Sequence, residues 1–522
     1  MLRLAFQTAF LLLLAGCSSK APTPSTPPSP PGVTIRALEN PVTLDPAYAT
    51  RTFESHLACL IHGGLVRCGE DGSIVPELAS SWEPLPEGKG YRFILREGLR
   101  FPSGRPLASQ DVVYAFSRIC RKATASPHAW VFEDVAGAKE VRAGSAESIQ
   151  GIRSCGDSCV EIELEEPSAT LLARLTMPAA RIVDREEVET LGPSYGRHPL
   201  ALGAWKLEEW MDDSRVTLKP NPSYPDRNRN LDFLRFTLAA QDFTANALFE
   251  TGRLDVLHPL PLSQTERWKS FPAWARQIQR FPEMNVYYIG FGCHRPPFDR
   301  PGIRRALLSA INPDRIRKAL FGDLAVPAQG PIPPGLRGNP PPDPTTSEPD
   351  PVSLEDIHGL SLDLWYIESD STTSMAMEGV QADLAVSGVQ CRLRKTDPTT
   401  YSSWRREGKF DLFYANWWAD YPDPDNFVAP LFLSSSSSNH THFSDAETDR
   451  LILQARREVD PARRAHLYRQ IEDRIETLAP ACFLWHRGTE VLTQPWVKGY
   501  QPAPLFHGTL FLNLGISLVS AP

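Results

Sequence analysis

The chain has 522 residues, 42% of them hydrophobic and 22% charged, with 62 acidic against 54 basic side chains and a formal net charge of −8. That length accommodates two or three domains, and the apolar share is enough for packed cores. A net negative chain whose arginines are scattered is ill suited to nucleic acid, so no nucleic-acid partner is expected.

The amino terminus has the order of an export signal. Arg3 supplies the positive charge, residues 4–14 (LAFQTAFLLLL) are apolar, and the small residues Ala15 and Gly16 precede Cys17. The apolar run is too short for a comfortable membrane span. The stretch Leu14-Ala15-Gly16-Cys17 resembles a bacterial lipobox, which implies a signal peptide over residues 1–16 and acylation of Cys17. The alternative is an ordinary secretory signal with a chance cysteine. Acyl chains anchor because each buried CH₂ contributes about 0.8 kcal/mol. Residues 18–32 (SSKAPTPSTPPSPPG) are rich in Pro and Ser and cannot bury a core, so 17–32 reads as a lipidated tether. No later segment is long and apolar enough to span a membrane.

Along the remainder, strand and helix patterns mix. VTIRA (33–37) reads as a strand, and LDPAYAT (44–50) as a turn-rich loop. Residues 53–67 carry apolar side chains at helical spacing, with a stop at Gly63-Gly64. Tyr91 to Arg96 alternates as a strand, and Ser109 is placed to cap a helix running through Phe116. Strands are expected at 160–164, 205–210, 215–219, 233–238 and 286–292. A helix is expected over 302–320, interrupted at Pro313. Strand and helix alternate across 360–415, and 445–479 is one long amphipathic helical region. The mixture predicts an α/β protein.

Nine cysteines are present. With Cys17 acylated, eight remain, an even number in an oxidising compartment. Cys155 and Cys159 flank Gly-Asp-Ser, so a disulfide clipping a hairpin tip is the favoured reading. The same spacing is half of a metal site, but no His or Cys pair lies nearby to complete it. Cys59 and Cys68 form another candidate pair.

Several segments together carry a family resemblance. Residues 75–119 hold Pro-Glu-Leu-Ala-x-x-Trp, an aromatic strand, Arg-x-Gly-x-x-Phe, a Gly-x-Pro turn and a helix opening at Gln110-Asp111. LGAWKL (202–207), VTLKPNPSY (216–224), FETGRLDVL (249–257), YYIGFGCHRPPFDRPGIRRALLSAIN (287–312) and NWWADYPDPDNFVAPLF (416–432) follow in order. From about residue 33 to 512 the chain resembles the peptide/nickel-type extracytoplasmic solute-binding proteins of ABC importers, the group with the oligopeptide- and dipeptide-binding proteins. One departure is the Pro-rich stretch 333–359, where the family has a helix. So much proline cannot sustain one, and a loop is expected.

The resemblance implies a type II-like two-lobe periplasmic-binding-protein fold. One lobe would comprise 33–262 plus 486–522, with an inserted subdomain near 53–185, and the other 263–485. Ligand would bind in the cleft by hinge closure, which needs no chemistry. It further implies a monomer that hands a small peptide to an ABC permease and its ATPase, at a membrane reached through the lipid anchor. No cofactor and no catalytic residue are expected, and no H-E-x-x-H pattern occurs.

The leading site candidates are Asp420 and Trp417, with Trp418 and Tyr421 beside them. In peptide-binding members the Trp-x-x-Asp spacing sets the carboxylate to meet the peptide's α-ammonium, and a charge-assisted bond is stronger than a neutral one. The tryptophans offer flat walls and a cation–π face. The plainer reading is that Asp420 caps a turn and the tryptophans are core. Asn426 is a secondary candidate, as are Thr50, Arg51, Thr52 and Phe53 from the first lobe, whereas Asp423-Pro424-Asp425 reads as turn. Oligosaccharide, opine or nickel-complex binding on the same fold stays open, as does a receptor-like role uncoupled from import. His56 and His62 are six apart and do not share a helix face well, and His440 and His442 follow the serine run 434–438, so metal is disfavoured.

Overall fold

A computed structural model describes residues 30–200, 202–336, 353–367 and 371–517. The signal, Cys17 and the tether up to residue 29 lie outside the described residues, as does 337–352 of the Pro-rich stretch. The described flanks of that stretch carry only short turns of 3₁₀ helix, Pro334–Leu336 and Leu354–Ile357.

Two large sheets organise the molecule. The first has seven strands, with Gly32–Ala37 parallel to Phe233–Leu238 and to Val256–Leu257. Val33, Ile35 and Ala37 face one apolar layer, while Thr34 and Arg36 are buried on the other side. Burying Arg36 is tolerable because its guanidinium donates to the carbonyls of Ala239, Ala240 and Pro259 and pairs with Asp242 at 2.7 Å. The hairpin Trp205–Met211/Arg215–Pro220 turns through Asp213 at φ 55°, a left-handed position aspartate tolerates. The second sheet has six strands, and Asn285–Phe291, buried at every residue, lies between Leu412–Trp418 and Ala481–Arg487.

The lobe boundary falls later than expected. Helices Leu262–Lys269 and Pro272–Ala275 set Trp268 and Trp274 against Phe249, in a core shared with Leu257 and Leu492. The next strand, Ile278–Phe281, pairs with Thr489–Thr493 in the first sheet. The chain therefore crosses at 282–284, not after 262, and returns at Gly488, not after 485. The two crossings run side by side. A Cβ on Gly488 would lie 2.6 Å from the Phe281 carbonyl oxygen, so only glycine lets the strands pass this closely.

The inserted unit is narrower than 53–185. Its four-stranded antiparallel sheet orders Ala79–Pro84, Gly90–Leu95, Cys159–Glu163 and Ile152–Ser154. The helix Thr52–Ile61 instead packs Phe53 edge-on to Phe236 of the seven-stranded sheet, with centroids 5.3 Å apart. A Cys155–Cys159 disulfide joins the hairpin tip. Cys59 and Cys68 are both buried and unbridged.

Two local expectations change. Ser109 is the first residue of its helix and not the cap. Asp111 reaches back to accept from the Ala108 amide at 2.9 Å, while Ser109 Oγ donates to the Gly156 carbonyl at 2.7 Å and so ties the helix to the disulfide turn. The region 445–479 is two helices, Ala446–Arg457 and Pro461–Leu478. Pro461 suits a first helical position, and Asp460 caps it by accepting from the Arg463 amide. Pro313 starts a helix in the same way, which splits 302–320 into Pro301–Ala310 and Pro313–Phe321.

Candidate ligand-binding site

The strand Leu412–Trp418 runs antiparallel to Asn285–Phe291 and ends with Trp418 opposite Asn285, where the chain has just crossed between lobes. The Ala419 amide donates to the Met284 carbonyl at 2.9 Å and carries the pairing one step into the loop. Asp420 therefore stands beside the crossing. Its orientation is set by Asn426, on the helix Asp425–Phe432. The Asn426 side-chain oxygen accepts from the Asp420 amide at 2.9 Å and from the Trp417 indole at 3.1 Å, and its amide nitrogen lies 3.4 Å from the Asp420 carboxylate. Asn426 is 1% exposed, so this bracket is rigid.

The foot of the loop is tied by ion pairs. Asp423 meets Arg464 at 2.7–2.8 Å through both oxygens, and Asp425, fully buried, meets Arg456 at 2.8 Å. Tyr421 donates to Asp425 at 2.9 Å and lies against Trp130 of the inserted unit. Asp423-Pro424-Asp425 is thus structural, in line with its reading as turn.

A cavity of about 350 Å³ opens between the lobes at Asp420. The first lobe contributes Thr50, Thr52, Ser55, His128, Trp130, Met177 and Pro178. The second contributes Trp418, Ala419 and Asp420, the crossing adds Met284, and the carboxy-terminal segment adds Pro504, Leu505 and His507. On the other side of Trp418 lies a smaller recess of about 190 Å³, lined by Tyr287, Phe321, Thr373, Tyr414, Asn416 and Arg487 among others.

Burial pushes the Asp420 carboxyl up to about 6, partly offset by the Asn426 hydrogen bond. Among the described residues no Lys or Arg pairs with it. Burial lowers His128, whose Nε2 lies 2.9 Å from the Ala49 carbonyl. Burial also takes His507 down to about 3, helped by the Arg181 charge. Both imidazoles are neutral at pH 7, which leaves Asp420 as the charged group among the described residues that line the cavity.

The structure sorts the expected residues. Asp420, Trp418, Thr50 and Thr52 line the cavity. Trp417 and Asn426 stand behind Asp420 and position it. Arg51 is the exposed cap of its helix and lines no part of it. Phe53 and Tyr421, at 6% and 2% exposure, belong to the first-lobe core and present no surface to a ligand, which corrects their inclusion. Met177, Met284, Trp130, His128 and Arg487 were not anticipated. They stand singly in chain segments with no shared pattern, and only the fold assembles them.

Comparison with known proteins agrees with this architecture. The family model for bacterial extracellular solute-binding proteins, family 5 (middle region), matches residues 73–439. The probable deoxycholate-binding periplasmic protein YgiS of Escherichia coli is 28% identical, over 94% of this chain and 96% of its own length. The dipeptide-binding protein of the same organism is also 28% identical, over 83% of this chain and 84% of its own. Among solved structures, the unliganded open form of the periplasmic murein tripeptide binding protein MppA superposes with a TM-score of 0.78 at 24% identity, covering 95% of this chain and 99% of that one. Members of this family are binding proteins rather than enzymes. With the two lobes, the double crossing and the cleft in view, the chain belongs to the bacterial extracellular solute-binding proteins of family 5.

Proposed function

We propose that this chain captures short peptides outside the cytoplasm and delivers them to an ABC import permease and its ATPase, held at the membrane by a lipidated Cys17. The observation that carries the peptide reading is Asp420. It is a desolvated carboxylate at an interlobe cavity, fixed by Asn426, with no protein cation beside it among the described residues. Such a group is complemented by a ligand cation, and a peptide's α-ammonium supplies a compact one with hydrogen-bond donors. The relatives' names include both a dipeptide-binding and a probable deoxycholate-binding protein. A bile-acid anion would bring its carboxylate into a cavity whose one charged group among the described residues is already negative. Trp418, 40% exposed, offers a flat face of the kind that stacks on a sugar ring, which keeps an oligosaccharide as the second reading.

Mass spectrometry of ligand released from the purified protein decides between these. Short peptides are expected, whereas a sugar or a bile acid would replace the peptide reading and leave the binding role intact. For the anchor, Cys17→Ser is expected to move the protein from membrane to soluble fraction, and its retention at the membrane would remove the lipidation proposal.

A further inference from the structure

We propose that the cavity beside Asp420 selects peptides whose first side chain is apolar, an inference that rests on Asp420 holding the ligand's α-ammonium. With the ammonium at Asp420, the side chain of the first residue has the space of this cavity to fill. Its walls are Met177, Met284, Leu505, Pro178 and the ring of Trp130, brought from both lobes and the crossing. Met177, Met284 and Leu505 are each under 10% exposed, so these are packed walls and not mobile surface. Among the described residues no second charge lines it. His128 and His507 are held neutral by burial, and the remaining polar lining is Thr50, Thr52 and Ser55.

A basic first side chain would compete with the ammonium for one carboxylate or sit unpaired. An acidic one would face Asp420 itself. Either places a charge in a poorly solvated space without a partner. An apolar chain loses nothing and gains burial, and methionine walls adapt to its shape. The volume, about 350 Å³, is near the low end of the roughly 300–1,000 Å³ usual for small-ligand sites, so the wall meets most of a first residue. The recess beyond Trp418 has a different chemistry, with Arg487, Asn416 and Thr373 on its lining. In an extended ligand, successive side chains point to opposite sides. The apolar demand therefore falls on the first position and does not spread to the second.

The test is calorimetric titration of the purified, ligand-stripped protein with Leu-Ala, Met-Ala, Lys-Ala, Glu-Ala and N-acetyl-Leu-Ala. Leu-Ala and Met-Ala are expected to bind at least tenfold more tightly than Lys-Ala and Glu-Ala, with N-acetyl-Leu-Ala at least a hundredfold weaker than Leu-Ala. If the four free-amine dipeptides bind within tenfold of one another, the apolar selection is overturned and the peptide reading stands. If none of them binds, or acetylation changes nothing, the amine site fails and the selection falls with it.

Discussion

The loop 420–425 holds three carboxylates at its two ends, under opposite conditions. At its foot, Asp423 and Asp425 are buried, and each meets an arginine from the following pair of helices, Arg464 and Arg456. At its head, Asp420 is desolvated and pushed up to about 6, with an amide for a neighbour and no cation among the described residues. The foot spends its charges on holding the loop. The head leaves one charge unspent at a cleft, which is costly in a folded protein unless something else completes it. Burial alone does not separate these carboxylates. Their partners do, arginine at the foot and an amide at the head.

The largest expected effect comes from breaking the foot. Asp425→Ala leaves Arg456 without its partner and should lower unfolding free energy by roughly 2–4 kcal/mol, read as a fall in the urea midpoint at unchanged slope. A shift under 0.5 kcal/mol would mean that the foot is not what fixes the loop. At the head, Asp420→Asn should leave stability the same or slightly higher and weaken peptide binding by about a hundredfold, the scale of one desolvated charge pair. Calorimetry on the folded variant checks it, and equal affinity would place Asp420 with its structural neighbours.

A pH series sharpens the contrast. With the carboxyl near 6, its ionised share falls about tenfold between pH 7 and pH 5, and peptide affinity should fall with it. Stability moves the other way. An unfolded aspartate titrates near about 3.9, so between about pH 4 and 6 the folded chain holds more protons at this site, and its contribution to stability falls as pH rises. Asp420→Asn should remove both trends. The smallest effect is expected from Trp417→Phe, which keeps an aromatic ring but loses the indole bond to Asn426. A two- to fivefold loss of affinity is expected, in keeping with a net bond of about 0.5–1 kcal/mol.

Much of the frame was legible from pattern. Strands such as 33–37, 205–210 and 286–292 announce themselves by alternation or by continuous apolar runs, and Asp420 by its place in the segment 416–432. What pattern could not provide was partnership. The helices at 262–275 look equally at home in either lobe until Trp268 meets Phe249. Phe53 reads as a cleft residue because it follows the LDPA loop, yet its ring is spent on Phe236. Tyr421 adjoins Asp420 in the chain but points into the other lobe's core, against Trp130. Local chemistry misled at Ser109 as well, where the helix is capped by a carboxylate three residues into it and the serine bonds a distant turn. The apolar wall is the extreme case, since Trp130, Met177, Met284 and Leu505 are scattered over more than 370 positions.

The place of Asp420 beside the double crossing also bears on the order of events in capture. When two bodies rotate about a pair of strands, each atom moves in proportion to its distance from them. Asp420 is one residue from the Ala419–Met284 hydrogen bond, practically on the pivot. A charge at the fulcrum keeps nearly the same position whether the jaws are open or shut. On the proposed reading, the ligand's ammonium is thus met by the part that moves least.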